Sequence, residues 1–274
     1  MSKRKKTTNL VFDLIEHFKQ IKVIIVLILT IIISIMYGSD LLLSASLTKS
    51  PLNAIDSFLL MLNSSYTVLC LTAGILLINS NAPFYTNTQP YVIVRLGRRN
   101  WLISKLKLLC SNVLVFLAFV LAVSIITIAG HAYLGNLWSI PLKSITSGMN
   151  SFIPNGFPID VISLYSPFEC LFHSFALLLL YFIFLSLIIM FINMNYKRNY
   201  GFQAALLATF IGWVMDFFMV KKWTILSPIH NSMLIDHDYG FTYGPSITFS
   251  YVYFVFLIGL LIFFMFRNIR KYDF

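Results

Sequence analysis

The sequence predicts an all-α membrane protein: six transmembrane helices, both termini cytoplasmic. Three observations carry that prediction. Six apolar segments, at 21–39, 57–78, 108–128, 172–194, 201–220 and 248–266, each approach the roughly 20 residues a helix needs to cross a bilayer. Hydrophobic residues make up 58% of the chain and charged residues 11%, with a mean hydropathy of +0.82, whereas soluble domains carry about 25% charged residues. The basic residues also fall on one side of the six segments.

That asymmetry sets the orientation. Lys3, Arg4, Lys5, Lys6, Lys19 and Lys22 precede the first span, and Arg95, Arg98, Arg99, Lys105 and Lys107 lie between the second and third. Lys197 and Arg198 follow the fourth span, and Arg267, Arg270 and Lys271 follow the sixth. Only Lys49, Lys143, Lys221 and Lys222 fall on the other side. Six spans with the basic side inside satisfy the positive-inside rule, and five would spoil it. The net charge of +10 therefore reads as topology and attraction to anionic headgroups, not as a nucleic-acid footprint.

The elements follow in order. Residues 1–22 form a cytoplasmic tail and an interfacial helix; residues 23–274 form a single six-helix transmembrane domain. Leu10, Leu14, Phe18 and Ile21 step by four, four and three, with Val11 and Ile15 beside them, and Asp13, Glu16, Lys19 and Gln20 take the other face. This is an amphipathic helix lying in the inner interface, with Thr8 or Asn9 as its cap. Ser44-Ala45-Ser46 resembles a signal-peptide cleavage site, but a basic region of about 22 residues containing Asp13 and Glu16 is long for a signal peptide. The second span carries Asn63, Ser64, Ser65, Thr67 and Thr72, small polar residues suited to close helix packing.

The connection after it contains Pro83 and Pro90 and then Arg95-Leu96-Gly97-Arg98-Arg99-Asn100-Trp101. Asn100 is placed to cap the third span and Trp101 to anchor it at the interface. The loop at 131–169 is long, and its apolar residues predict that it folds onto the outer ends of the spans. The fourth and fifth spans are joined by a tight turn at 195–200. A semi-apolar stretch at 223–235 is too short to cross and reads as a helical or re-entrant element at the outer surface before the last span.

The chain shows little chemistry. There is no GxxxxGK[ST] phosphate loop, no HExxH and no GxSxG, so it is not expected to be an enzyme. Cys70, Cys110 and Cys170 read as small apolar residues without disulfide spacing. Asp236-His237-Asp238 reads as a solvated loop rather than a metal site. Asp216 is the acid within a span, and reads either as a packed or snorkelling ion pair with Lys221 and Lys222 or as part of a path or gate. Arg95, Arg98 and Arg99 share a face if their segment is helical, serving either lipid headgroups or a cytoplasmic partner.

Taken jointly, the interfacial helix, the six spans, the R-x-x-x-R-x-W-x-x-x-K segment from Arg95 to Lys105, the tight fourth–fifth turn and the outer element before the last span resemble a permease subunit of the ABC-2 type (type V) family of ABC exporters. The long second outer loop departs from the simplest members. The resemblance implies a homo- or heterodimer of permeases in a bacterial plasma membrane, each docked to a separate ATPase subunit. That partner would bind ATP and Mg, with no cofactor on this chain. It implies a coupling role for Arg95, Leu96, Gly97, Arg98, Arg99, Trp101 and Lys105, and a path or gate near Asn63, Ser64, Thr67 and Asp216. The cargo would be amphipathic or apolar: a peptide, an antibiotic or a lipid-linked molecule. The alternatives are a self-contained carrier and a membrane immunity or assembly factor.

Overall fold

A computed structural model of the chain describes residues 13–84, 89–146, 157–196, 200–218, 224–239 and 244–269. The described residues are mostly helical. In a bilayer every backbone N–H and C=O must find a partner within the protein, and a helix supplies all of them locally.

Residues 13–18 form α1. It does not run on into the first span: Gln20 is extended (φ −68°, ψ 137°), and α2 starts afresh at Ile21–Thr48. Lys49 ends α2 in the left-handed region (φ 49°), its N–H bonded to the Ala45 carbonyl. The predicted second span is instead two helices, α3 (Asp56–Leu62) and α4 (Ser65–Asn79), set at 82° to one another. Every residue of α3 is buried. Asn63 sits in the break and makes the contacts that hold it: its side-chain amide donates to the Ser174 hydroxyl (3.2 Å), and its carbonyl oxygen accepts from the Ile235 N–H (3.3 Å).

Next come α5 (Gln89–Leu96) and α6 (Arg98–Ile128). The third span therefore begins its helix at Arg98. Its N-cap is Gly97, not Asn100, whose amide instead donates back to the Leu96 carbonyl. Helices α7 (Ile140–Thr146) and α8 (Ile159–Leu164) lie in the long loop; α9 (Pro167–Tyr196), α10 (Tyr200–Phe218) and α11 (Ile247–Asn268) complete the chain. A hydroxyl cap starts α11, Ser246 accepting from the Phe249 N–H. Of the expected helical or re-entrant outer element, the described residues before α11 make two 3₁₀ turns, His230–Ser232 and Leu234–Asp236. It lies within the core, with Ile229, Met233 and Leu234 buried.

Four helices (α2, α6, α9 and α11) are long and apolar enough to cross a membrane, a fifth crossing being available if the bent α3–α4 pair is one span. The α10 helix is apolar but shorter in its membrane-like part, at Tyr200–Met215. Of the four long apolar helices, α9 is the most buried along its apolar stretch (56% of it) and α11 the least (17%). Close approaches use small residues, as helix packing in lipid requires: Gly38 of α2 lies against Thr127 of α6, and Gly74 of α4 against Val26 of α2.

One apolar core fills the bundle between α2, α4, α6 and α9. A second caps one end, where the described residues of the loop, 131–146 and 157–169, fold onto the helix ends. A two-residue parallel pairing, Leu52–Asn53 with Ala132–Tyr133, ties the ends of α2 and α6 together there. Asp56 accepts from the Asn53 N–H (2.9 Å) and the Ser139 hydroxyl (2.5 Å). Trp138 donates to the Tyr165 carbonyl (2.9 Å).

Candidate functional site

The opposite end of the bundle is built around one short turn, residues 80–84, which four elements hold directly and a fifth holds through Asn193. From α2, the Lys22 ammonium donates to the Ser80 hydroxyl (2.8 Å). From α9, the Asn193 amide donates to the Ala82 carbonyl (2.7 Å) and the Ser80 carbonyl (3.2 Å). Asn193 also accepts from the Gly201 N–H at the start of α10 (2.8 Å). From α6, the Lys105 ammonium donates to the Phe84 carbonyl (3.3 Å). From α1, the His17 ring meets the Phe84 ring edge-on at 4.8 Å. Phe84 itself has φ 59°, a backbone state uncommon for a bulky residue and held here by those contacts.

His17 is 4% exposed. It hydrogen-bonds the Ile78 backbone, and burial, with Lys22 nearby, pushes its pKa down to about 4. The ring is therefore neutral at physiological pH. A cavity of about 180 Å³ separates α1 from α6, with Asp13, Glu16 and His17 on one wall and Lys105 on the other. Burial raises the Asp13 pKa, and the Lys105 charge opposes the rise.

The predicted coupling residues divide into two groups. Arg95, Leu96, Gly97, Arg98 and Arg99 are exposed, whereas Lys105 is partly buried and Trp101 is 1% exposed. Trp101 is thus a core side chain, not the expected interface anchor. Nor do the three arginines share one helix. Gly97, at φ 78°, separates α5, which carries Arg95, from α6, which carries Arg98 and Arg99. Glycine suits that position because a side chain would be strained at such a φ; space is not the reason, since nothing lies within 4 Å of a Cβ there. Helix α5 is anchored by the buried Ile93 and turns Tyr91 (79% exposed) and Val94 (87%) outward beside Arg95.

The interfacial face is also rearranged. Leu14 and Phe18 are half-buried, Ile15 is exposed, and Ile21 belongs to α2 and is exposed. Leu10 lies outside the described residues. The residue that docks α1 is His17, which the apolar spacing did not single out.

The predicted path residues Asn63, Ser64 and Thr67 are buried. Asn63 joins α3, α9 and the 3₁₀ segment, and the Thr67 hydroxyl donates to the Tyr37 hydroxyl (2.7 Å). Asp216 falls in the last turn of α10, and its side chain lies outside what is described. Polar residues that the spacing analysis passed over form a buried chain instead. The Asn112 amide donates to the Asn79 side-chain carbonyl (3.1 Å), and the Asn79 amide donates to the Ser186 hydroxyl (2.9 Å). Their signal was present in the sequence: an amide within an apolar span must find a partner.

His237 is not solvated, as the loop reading expected, but fully buried. Its ring touches the Met233 carbonyl (2.9 Å) and the Ser250 hydroxyl (2.9 Å), and burial lowers its pKa to about 4. Among the described residues no cluster of three or more His, Cys, Asp or Glu could hold a metal ion. Cys70 is exposed and Cys170 buried.

No family model, curated protein or solved structure matches this chain.

Proposed function

We propose that this chain is the membrane-spanning permease subunit of an ATP-driven exporter of the ABC-2 type, acting as a dimer with a separate ATPase in a bacterial plasma membrane. In this reading the six spans are α2, the α3–α4 pair, α6, α9, α10 and α11, and the basic end faces the cytoplasm. ATP and Mg act on the partner, and the cargo is amphipathic or apolar.

The observation that carries the reading is the clasp around residues 80–84. Helix α5 packs on α6, α6 reaches the clasp through Lys105, and the clasp bonds α2 and α9 and, through Asn193, α10. A partner pressing on Tyr91, Val94 and Arg95 would move a lever already connected to four membrane helices. Energy spent outside the membrane would thereby bias a packed, two-state element inside it. Exposed arginines beside an apolar patch suit a protein partner with an acidic rim.

A second reading, a self-contained carrier, is favoured by one observation: the α3–α4 break with a buried asparagine, since broken helices line carrier sites. One experiment separates the two. The tagged protein is purified from its host in mild detergent, and its co-purifying proteins are identified. A stoichiometric ATPase subunit supports the permease reading. Purified protein that moves cargo in vesicles without any ATPase sinks it.

A further inference from the structure

We infer that the cleft between the first turn of α6 and the last turns of α11 binds the phosphate of an anionic phospholipid in the leaflet at the basic end. The inference stands apart from the permease reading, because a carrier or an assembly factor with this structure would carry the same cleft.

The cleft is open, about 460 Å³ in volume, and lined by Arg99, Phe263, Phe266 and Arg267. Two guanidinium-bearing residues from different helices thus meet at one opening. Each presents planar donors that match a phosphodiester. Basic pockets between helix ends at this level are where anionic headgroups bind.

Electrostatics at α6 strengthens the argument. The N-terminus of a helix carries partial positive charge and favours an anion. Here Arg98 and Arg99 occupy the first turn, no acidic residue accompanies them, and no side chain caps the helix. Two cationic side chains thus sit at the positive end of the helix dipole. The described acids of this end, Asp13 and Glu16, line the other cavity, against α1. A bound anion would resolve the conflict.

The walls decide for a lipid over a free ion. Phe263 is 62% exposed and Phe266 is half-buried. Both continue the apolar surface of α11, where Val252, Val255 and Phe256 are also exposed. Arg267 lies in the last turn of the helix, just beyond that apolar stretch. A phosphate held by Arg99 and Arg267 would lay its chains along those rings.

The test uses the full-length protein in detergent and native mass spectrometry, with phosphatidylglycerol and phosphatidylcholine of identical acyl chains as probes. One phosphatidylglycerol per protomer should be retained in preference to phosphatidylcholine. Arg99→Gln and Arg267→Gln should each weaken that retention about fivefold, and the pair about twenty-five-fold, the value expected of one basic residue near an anionic surface. Arg95→Gln, which removes an equal charge outside the cleft, should leave retention unchanged. All variants are exposed-residue changes and are checked for a monodisperse, helical protein. Equal retention of the two lipids, equal weakening by Arg95→Gln, or displacement of the lipid by millimolar inorganic phosphate would each overturn the inference.

Discussion

Gly201→Ala should destabilise the bundle out of proportion to one methyl group. A Cβ at this position would lie 2.3 Å from the Ile189 carbonyl oxygen, 2.7 Å from the Asn193 side-chain oxygen and 2.8 Å from the Ile189 Cα. Two of these atoms are backbone and cannot rotate away. Ordinary contact begins near 3.4 Å, so α10 must retreat from α9 by about 1 Å, and well-packed interiors resist such shifts at about 1–3 kcal/mol. The retreat also breaks the bond from the Gly201 N–H to Asn193, and a bond between helices in a membrane contributes about 0.6–1.7 kcal/mol. Together the loss is about 2–5 kcal/mol. It should be read from reversible unfolding in mixed micelles, followed by tryptophan fluorescence. Gly259→Ala is the control, because nothing lies within 4 Å of a Cβ there. An unfolding free energy for Gly201→Ala within about 0.5 kcal/mol of the parent, the range of a neutral surface change, would refute the reasoning.

Further predictions bear on the same end of the molecule. The docking of α1 should weaken as pH falls from about 6.5 toward about 4, because in that window the released His17 takes up a proton that the docked ring refuses. Hydrogen exchange at residues 13–18, corrected for intrinsic rate, should rise across it, and a flat profile would contradict the burial of His17. Asn79→Leu should cost about 1–2 kcal/mol in the same unfolding assay, since it strands the Asn112 amide; an unchanged midpoint would mean that the amide finds another partner. On the proposed permease reading, the double variant Arg98→Glu/Arg99→Glu should insert normally yet abolish export, and export at the parental rate would remove these residues from the proposed coupling.

The helices were legible because apolar runs of this length have few other fates. The break between α3 and α4 was not. Asn63-Ser64-Ser65 reads in one dimension as a patch of small packing residues. What bends the chain is the hold on Asn63 by Ser174 and Ile235, more than a hundred positions away. The separate start of α2 was visible only in outline: the amphipathic pattern marked α1, but the turn at Gln20 depends on His17 finding Phe84. The arginines were read as sharing one helix face, and the break at Gly97 divides them between α5 and α6; Trp101 was misread, because a tryptophan near a span end satisfies both an interface pattern and a core pattern. Asn79, Asn112 and Asn193 were overlooked for a simpler reason. Averaging hydropathy over a span dilutes a single amide, although burial makes it the most demanding group there.

The bent pair also bears on how the protein meets bilayers of different thickness. At 1.5 Å per residue, α2, α6 and α9 are about 42–46 Å long and α4 only about 22 Å, against a hydrocarbon layer of about 30 Å. A lone helix as short as α4 would draw the surrounding lipid inward. Here α3 is wholly buried and α4 is buried where it meets α2, α6 and α9, leaving one stripe exposed at Tyr66, Cys70, Ala73 and Leu77, so the short element is matched largely to protein. Lipids instead meet the long outer helices, which can tilt. Changing acyl-chain length should therefore reorient the rim of the molecule while leaving the bend at Asn63 undisturbed.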